Sequence, residues 1–193
     1  MKTLLLAPDT QLIQEFKYGN NKALEILAWR YKEKIFSSIL FLVKDKYLAE
    51  DLFQDTFIKI IDTIRNDNYT EEGKFLSYAI RIAHNLCVDH FRKVKRVQIV
   101  NTGDQNEYFE IFNSSEDAVD KNIIRVQTSD LVRQLLDMLP EDQREVIVLR
   151  HFADLSFKEI AEMTNCSINT ALGRMRYALT NMRRILAEKQ VAL

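Results

Sequence analysis

An apolar repeat of three to four residues runs through most of this chain, and it constrains the fold more than any other feature. Ala23, Leu24, Leu27, Tyr31, Ile35, Ile39 and Leu42 recur at helical spacing, as do Phe53, Phe57, Ile60, Ile61 and Ile64. A third stripe joins Phe75, Ala79, Ile82, Ala83 and Leu86. That spacing puts the apolar side chains of each segment on one helical face, and three such faces can bury each other as a small bundle. A sheet protein would alternate every second residue and turn often. The 193 residues include only four glycines and two prolines to make turns. Hydrophobic residues make up 47% of the chain, enough for a packed core and too many for global disorder. The expected fold class is all-α.

The pattern divides the chain into three. Residues 9–97 read as the first helical domain. Over 98–121 the periodicity fades, and Asp104, Glu107, Glu110, Glu116, Asp117 and Asp120 occur with no basic residue among them. This acidic linker is either a solvated spacer or a segment suited to a basic channel. Helices resume over 122–188 with Leu131, Leu135 and Leu139, then Pro140 at or near the first turn of the next helix, then Val146, Ile147 and Leu149. Ser156 and Glu159 have capping-box spacing and start a short helix through Met163. Asn165-Cys166-Ser167 breaks it, and Ser167 can cap a long final helix. On that helix Ile168, Leu172, Met175, Leu179, Met182 and Leu186 are expected to face the domain.

The formal net charge of −1 argues against an indiscriminate polyanion binder, but the charge is unevenly placed. From 74 to 98, Lys74, Arg81, Arg92, Lys93, Lys95 and Arg96 stand against Asp89 alone; from 168 to 190, Arg174, Arg176, Arg183, Arg184 and Lys189 stand against Glu188. One basic helix in each domain suggests two contacts on one long polyanion. The final segment has helix-turn-helix form. Its outward residues Asn169, Thr170, Gly173, Arg174, Arg176 and Tyr177 suit a recognition helix in a major groove, or else form a plain solvated basic face. Gly173 costs such a helix roughly 1 kcal/mol relative to alanine, for which close approach to DNA is one reason. On the 75–96 helix, Tyr78, Arg81, Asn85, Asp89, Arg92 and Arg96 share a face. An aromatic, an amide and arginines together suit single-stranded DNA. The preceding polar loop, residues 66–73 with Tyr69, is a simple surface loop or a pocket for an unstacked base. Asp51 and Asp55 lie one turn apart, where like charges repel unless a basic partner or solvent relieves them.

The remaining features are negative. Cys87 and Cys166 form no C-x-x-C pair, so buried thiols are expected rather than a disulfide or zinc site. His84, His90 and His151 are scattered, and structural or surface roles suit them better than catalysis. No enzyme activity, metal or cofactor is expected. The apolar run Leu4–Ala7 is too short for a signal segment, and no stretch approaches ~20 apolar residues, so a cytoplasmic chain without a membrane span is expected.

In this order and spacing, three segments resemble the sigma-70 family, specifically its extracytoplasmic-function (ECF) group: Ala49-Glu-Asp-Leu-Phe-Gln-Asp-Thr-Phe-Ile-Lys, Lys74-Phe-Leu-Ser-Tyr-Ala-Ile-Arg-Ile-Ala-His-Asn, and Leu139-Pro-Glu-Asp-Gln-Arg-Glu-Val with Leu155-Ser-Phe-Lys-Glu-Ile-Ala-Glu. The resemblance covers nearly the whole chain. It implies a region 2 bundle and a region 4 helix-turn-helix, and a role in recruiting core RNA polymerase to promoters and helping to open them. Asp51, Leu52, Gln54, Asp55 and Phe57 would then contact the polymerase. Asn66, Asn68, Tyr69, Lys74, Tyr78, Arg81, Asn85, Arg92, Lys93 and Arg96 would bind the single-stranded −10 element. Ser167, Asn169, Thr170, Gly173, Arg174, Arg176 and Tyr177 would bind the duplex −35 element. The linker would thread toward the polymerase active-site channel. An anti-sigma factor is a common further partner in the group. The chain departs from the family in two places. Tyr78 stands where a tryptophan is common, and Ala171-Leu172-Gly173 stands where a valine, a basic residue and a serine are common. No extra domain of the kind a primary sigma factor carries is recognisable. Two other functions remain open: a helix-turn-helix regulator acting on duplex DNA alone, which leaves the 75–96 helix unexplained, and a protein-only adaptor, which the two basic helices count against.

Overall fold

A computed structural model of the chain describes residues 2–70, 73–102 and 131–188. The acidic stretch from Asp104 to Asp120 therefore lies outside the described residues, as do Glu71 and Glu72. The described residues are helical and contain no strand. In order they form α1 (Lys2–Leu5), α2 (Asp9–Lys17), α3 (Asn21–Val43), α4 (Lys46–Arg65), α5 (Phe75–Thr102), α6 (131–137), α7 (Glu141–Ile147), a π-helical turn (Val148–Phe152), α8 (Phe157–Met163) and α9 (Ile168–Glu188). They fall into two compact units, residues 2–39 with the described part of 46–102, and residues 40–45 with 131–188. α5 continues to Thr102, past the boundary expected near residue 97, because extending an established helix requires no new nucleus.

In the first unit the stripes interlock as a bundle. Leu12, Ile13 and Phe16 of α2, Leu27, Ile35 and Ile39 of α3, Ile60 and Ile64 of α4, and Phe75, Ala79 and Ile80 of α5 are all buried. Aromatic pairs join the helices: Tyr31 with Phe75 at 5.7 Å between ring centroids, and Phe36 with Phe53 at 5.9 Å. Asp9 fastens the N-terminus to α3 by accepting from Arg30 Nη1 at 2.5 Å and from Tyr31 Oη at 2.6 Å. Burial and the neighbouring Asp9 carboxylate push the Tyr31 phenol up to about 12, so it stays a donor across the physiological range. α2 and α4 both end in a left-handed residue, Gly19 (φ 94°) and Asp67 (φ 56°). At each end paired backbone bonds close the last turn, Asn20 N to Glu15 O at 3.0 Å and Asn68 N to Thr63 O at 3.0 Å.

The second unit is the helix-turn-helix. α7 and α8 pack against α9, and Leu135, Leu136, Leu139, Val146, Leu149, Leu155 and Ile160 fill the core. The capping box forms as the spacing predicts: Ser156 N donates to Glu159 Oε2 at 2.8 Å, and Glu159 N donates to Ser156 Oγ at 3.3 Å. Ser156→Ala is expected to cost about 1 kcal/mol, read as a lower denaturation midpoint. An unchanged midpoint would mean that α8 is held by packing alone. Asn165 takes the left-handed conformation (φ 50°) in the turn, and Thr170 N donates to Ser167 Oγ at 3.0 Å to begin α9.

The buried face of α9 is rotated from the expected one. Ala171, Met175, Ala178 and Ile185 face inward, whereas Ile168, Leu172 and Leu179 are exposed. Small residues at the contact let α7 and α8 approach α9 closely, so the alanines rather than the leucines take the crossing. Cys87 is buried, and burial pushes its thiol up to about 12. Cys166 sits in the turn rather than in a helix, half-buried, with Sγ 3.3 Å from Thr164 Oγ1.

Candidate nucleic-acid interface

α5 carries the first candidate surface. Arg81, Asn85, Arg92, Lys93 and Arg96 are exposed along its outer side, and Tyr78 is half-buried at the near end of the same face. Asp89, the one acid in the row, lies 3.7 Å from Arg92. The Tyr78 ring meets Tyr69 edge to face, with centroids 4.7 Å apart. Tyr69 itself is only 6% exposed. Expected to help form a pocket for an unstacked base, it is buried beneath Tyr78 and supports that ring. It follows directly on the turn that closes α4, and that turn directs it inward. Lys17 Nζ donates to Asp67 at 2.5 Å, and this bond holds the Asp67 carboxyl below its ordinary value. Asn66 and Asn68 stay exposed on either side of Asp67. Gly73 has φ 72°, a conformation that favours glycine, and it returns the chain to exposed Lys74 and the start of α5.

α9 carries the second. Asn169, Thr170, Arg176 and Tyr177 are exposed, and the Arg176 guanidinium lies 5.7 Å from the Tyr177 ring centroid. Ser167 is exposed, with its hydroxyl engaged in the cap. Arg174 is half-buried, and its Nε lies 3.3 Å from Asp142 of α7. It therefore bridges two helices instead of standing free on the outer face. Gly173 is half-buried, and a Cβ added there would meet nothing within 4 Å. No neighbour in the unit explains this glycine.

The acidic segment of α4 separates into two sides. Asp51, Gln54 and Asp55 are exposed, whereas Leu52 is in the core and Phe57 is half-buried against Phe53, with centroids 5.0 Å apart. Of these two candidates for a polymerase contact, Leu52 is buried and holds the helix in place, whereas Phe57 keeps part of its ring at the surface. Tyr47 and Ile58 do lie on the outer side with Asp51 and Gln54, and Ile58 is 54% exposed. The spacing 47, 51, 54, 58 carried this signal, but only the bundle shows which side of α4 faces out. His84 is buried, and among the described residues no group of three or more His, Cys, Asp or Glu could hold a metal ion. No described helix is long and apolar enough to cross a membrane.

Residues 27–97 match the family model for sigma-70 region 2, and residues 129–179 match the model for sigma-70 region 4. The chain is 29% identical to the RNA polymerase sigma-H factor of Pseudomonas aeruginosa over 171 residues, covering 86% of this chain and 88% of that protein. It is 29% identical to the ECF RNA polymerase sigma factor SigW of Bacillus subtilis over 184 residues, covering 91% and 95%. Among solved structures, CnrH in complex with the cytosolic domain of CnrY has a TM-score of 0.66 at 21% identity, covering 94% of this chain and 99% of that one. The sigma factor RpoE of Bartonella quintana, in complex with the anti-sigma factor NepR, has a TM-score of 0.65 at 23% identity, covering 86% and 98%. At that identity these two likenesses speak for the fold.

Proposed function

Because the chain belongs to the sigma-70 family, in its ECF group, we propose that it binds core RNA polymerase, brings it to promoters and helps to open them. Region 2 spans residues 9–97 in this reading, region 4 spans 122–188, and the acidic stretch between them threads toward the polymerase active-site channel. The exposed acids of α4 dock on a basic surface of the polymerase. The outer side of α9 enters the major groove of the −35 element. α5 takes up the unpaired −10 strand, with Tyr78 stacking a base, Arg81, Arg92, Lys93 and Arg96 following the phosphates, and Asn85 reaching base edges. Asn66, Asn68 and Lys74 flank the place where an extruded base would sit.

The observation that carries this reading is the row that runs from half-buried Tyr78 through exposed Arg81, Asn85 and Arg92 to Arg96. A regulator of intact duplex has no use for an aromatic platform backed by a buried tyrosine. The energies are of the right order. Base–aromatic stacking contributes roughly 1–3 kcal/mol per base, and each DNA stacking step broken costs about 1.4 kcal/mol. One platform thus offsets about one step and biases opening without driving it alone. The protein contributes binding energy, and the polymerase carries the chemistry. It acts where core polymerase and DNA are, in the bacterial cytoplasm. An anti-sigma factor, common in the group, completes the proposed partners.

The test combines the purified chain with bacterial core polymerase and probes promoter fragments for unpaired thymines near the start site. Opening that requires both components supports the reading. Stable duplex binding by the chain alone, with no opening on any fragment of a genomic promoter pool, would favour the stand-alone regulator. Gly173→Ala gives a separate readout. Alanine in an open helix position should stabilise the free protein by up to ~1 kcal/mol, while its methyl group weakens −35 binding by the holoenzyme. A variant that gains stability and keeps full duplex affinity would show that Gly173 plays no part in DNA approach.

A further inference from the structure

The exposed side of α9 has two unlike flanks. A rotation of about 100° per residue puts Asn169, Gly173 and Arg176 along its centre, with Thr170 and Tyr177 to one side. Ile168 and Leu172 lie to the other side, 48% and 44% exposed. A single exposed leucine is ordinary on a protein surface. Leu172 differs in its surroundings. It adjoins Gly173, where an added Cβ would meet nothing within 4 Å, so the helix is thinnest beside it.

A leucine can neither hydrogen-bond a phosphate nor pair with a donor or acceptor on a base edge. In the major groove the one apolar feature that distinguishes a base is the thymine 5-methyl group. We propose that Leu172 is a specificity residue of α9 that reads the 5-methyl group of one thymine in the −35 duplex. This rests on the sigma-factor reading and identifies the base to which that surface responds. Contact removes water from both the methyl group and the leucine, and Ile168, one turn earlier, extends the dry strip. Cytosine and uracil leave that contact empty.

Uracil isolates the effect, since it keeps every hydrogen-bonding group of thymine and lacks only the methyl. Holoenzyme reconstituted from the chain and core polymerase would first select its −35 element from a duplex library randomised there. Each thymine of the selected element would then be replaced in turn by deoxyuridine. At one position uracil should weaken binding about fourfold, the worth of one buried methyl-sized group. With Leu172→Ala that penalty should disappear, and Leu172→Lys should select a base other than thymine there. A selected element without thymine, a uracil penalty at no position, or a penalty that persists in Leu172→Ala would each overturn this inference alone. A holoenzyme that selects no duplex element would overturn the sigma-factor reading, and this inference with it.

Discussion

Replacing Tyr78 and Arg81 together by alanine is expected to lower promoter opening roughly 10- to 100-fold, the worth of one lost stacking platform with an adjacent phosphate contact. Affinity for core polymerase should stay unchanged, because the two residues lie on α5 and the acidic face is on α4. Fold and function can be separated at this site. Tyr78 packs edge to face on buried Tyr69, so Tyr78→Ala should also cost about 0.5–1.5 kcal/mol of stability. Arg81 is exposed, and Arg81→Ala should lower opening with little stability cost. Tyr78→Trp keeps a stacking face and should retain or raise opening. The check is permanganate reactivity of thymines around the start site, beside a denaturation curve for each variant. Full opening by a stably folded double variant would remove α5 from the melting step.

Reversing Asp51 and Asp55 to lysine should weaken binding to core polymerase by roughly 30-fold or more, the effect of placing like charge against a basic docking surface. The free protein should tolerate the change. Both carboxylates are exposed, and two acids one turn apart repel by about 0.2–0.5 kcal/mol in an isolated helix. Asp55→Lys alone puts a cation one turn after Asp51, the favourable orientation, so it should leave α4 as stable or slightly more so while still weakening the complex. Loss of affinity without loss of stability marks an interface. Leu52→Ala should do the reverse and destabilise the unit by about 2–5 kcal/mol through a core cavity. Equilibrium binding to labelled core polymerase at two salt concentrations is the measurement, with the charge effect shrinking as salt screens it. Unchanged affinity in the double reversal would take the acidic face out of the docking reaction.

Much of the architecture was legible in the residues. The helical stripes, the capping box at Ser156 and Glu159, the break at Asn165 and the cap at Ser167 depend on neighbours a few positions apart, and such local rules survive tertiary folding. The outer row on α5 was legible for the same reason, since Tyr78, Arg81, Asn85, Arg92 and Arg96 follow from helical spacing opposite an apolar stripe. Membership of a region 2 and a region 4 lay in the order of three motifs.

Other features depended on contacts between distant residues. Tyr69 reads as an open aromatic in a polar loop, but the left-handed turn at Asp67, tied down by Lys17 some fifty positions earlier, turns it into the core. Arg174 reads as an outward basic residue, yet Asp142 draws it toward α7. Leu172 reads as core and is exposed. Helical periodicity places an apolar face only to within about one residue, or 100° of rotation, and α9 offers two candidate faces, one of leucines and one built around alanines. By itself the sequence determined that α9 is a helix, where it starts and which charges it carries. Tertiary packing decided which face is buried, because close helix contact favours small side chains at the crossing. That choice leaves Leu172 on the side of α9 proposed to meet DNA.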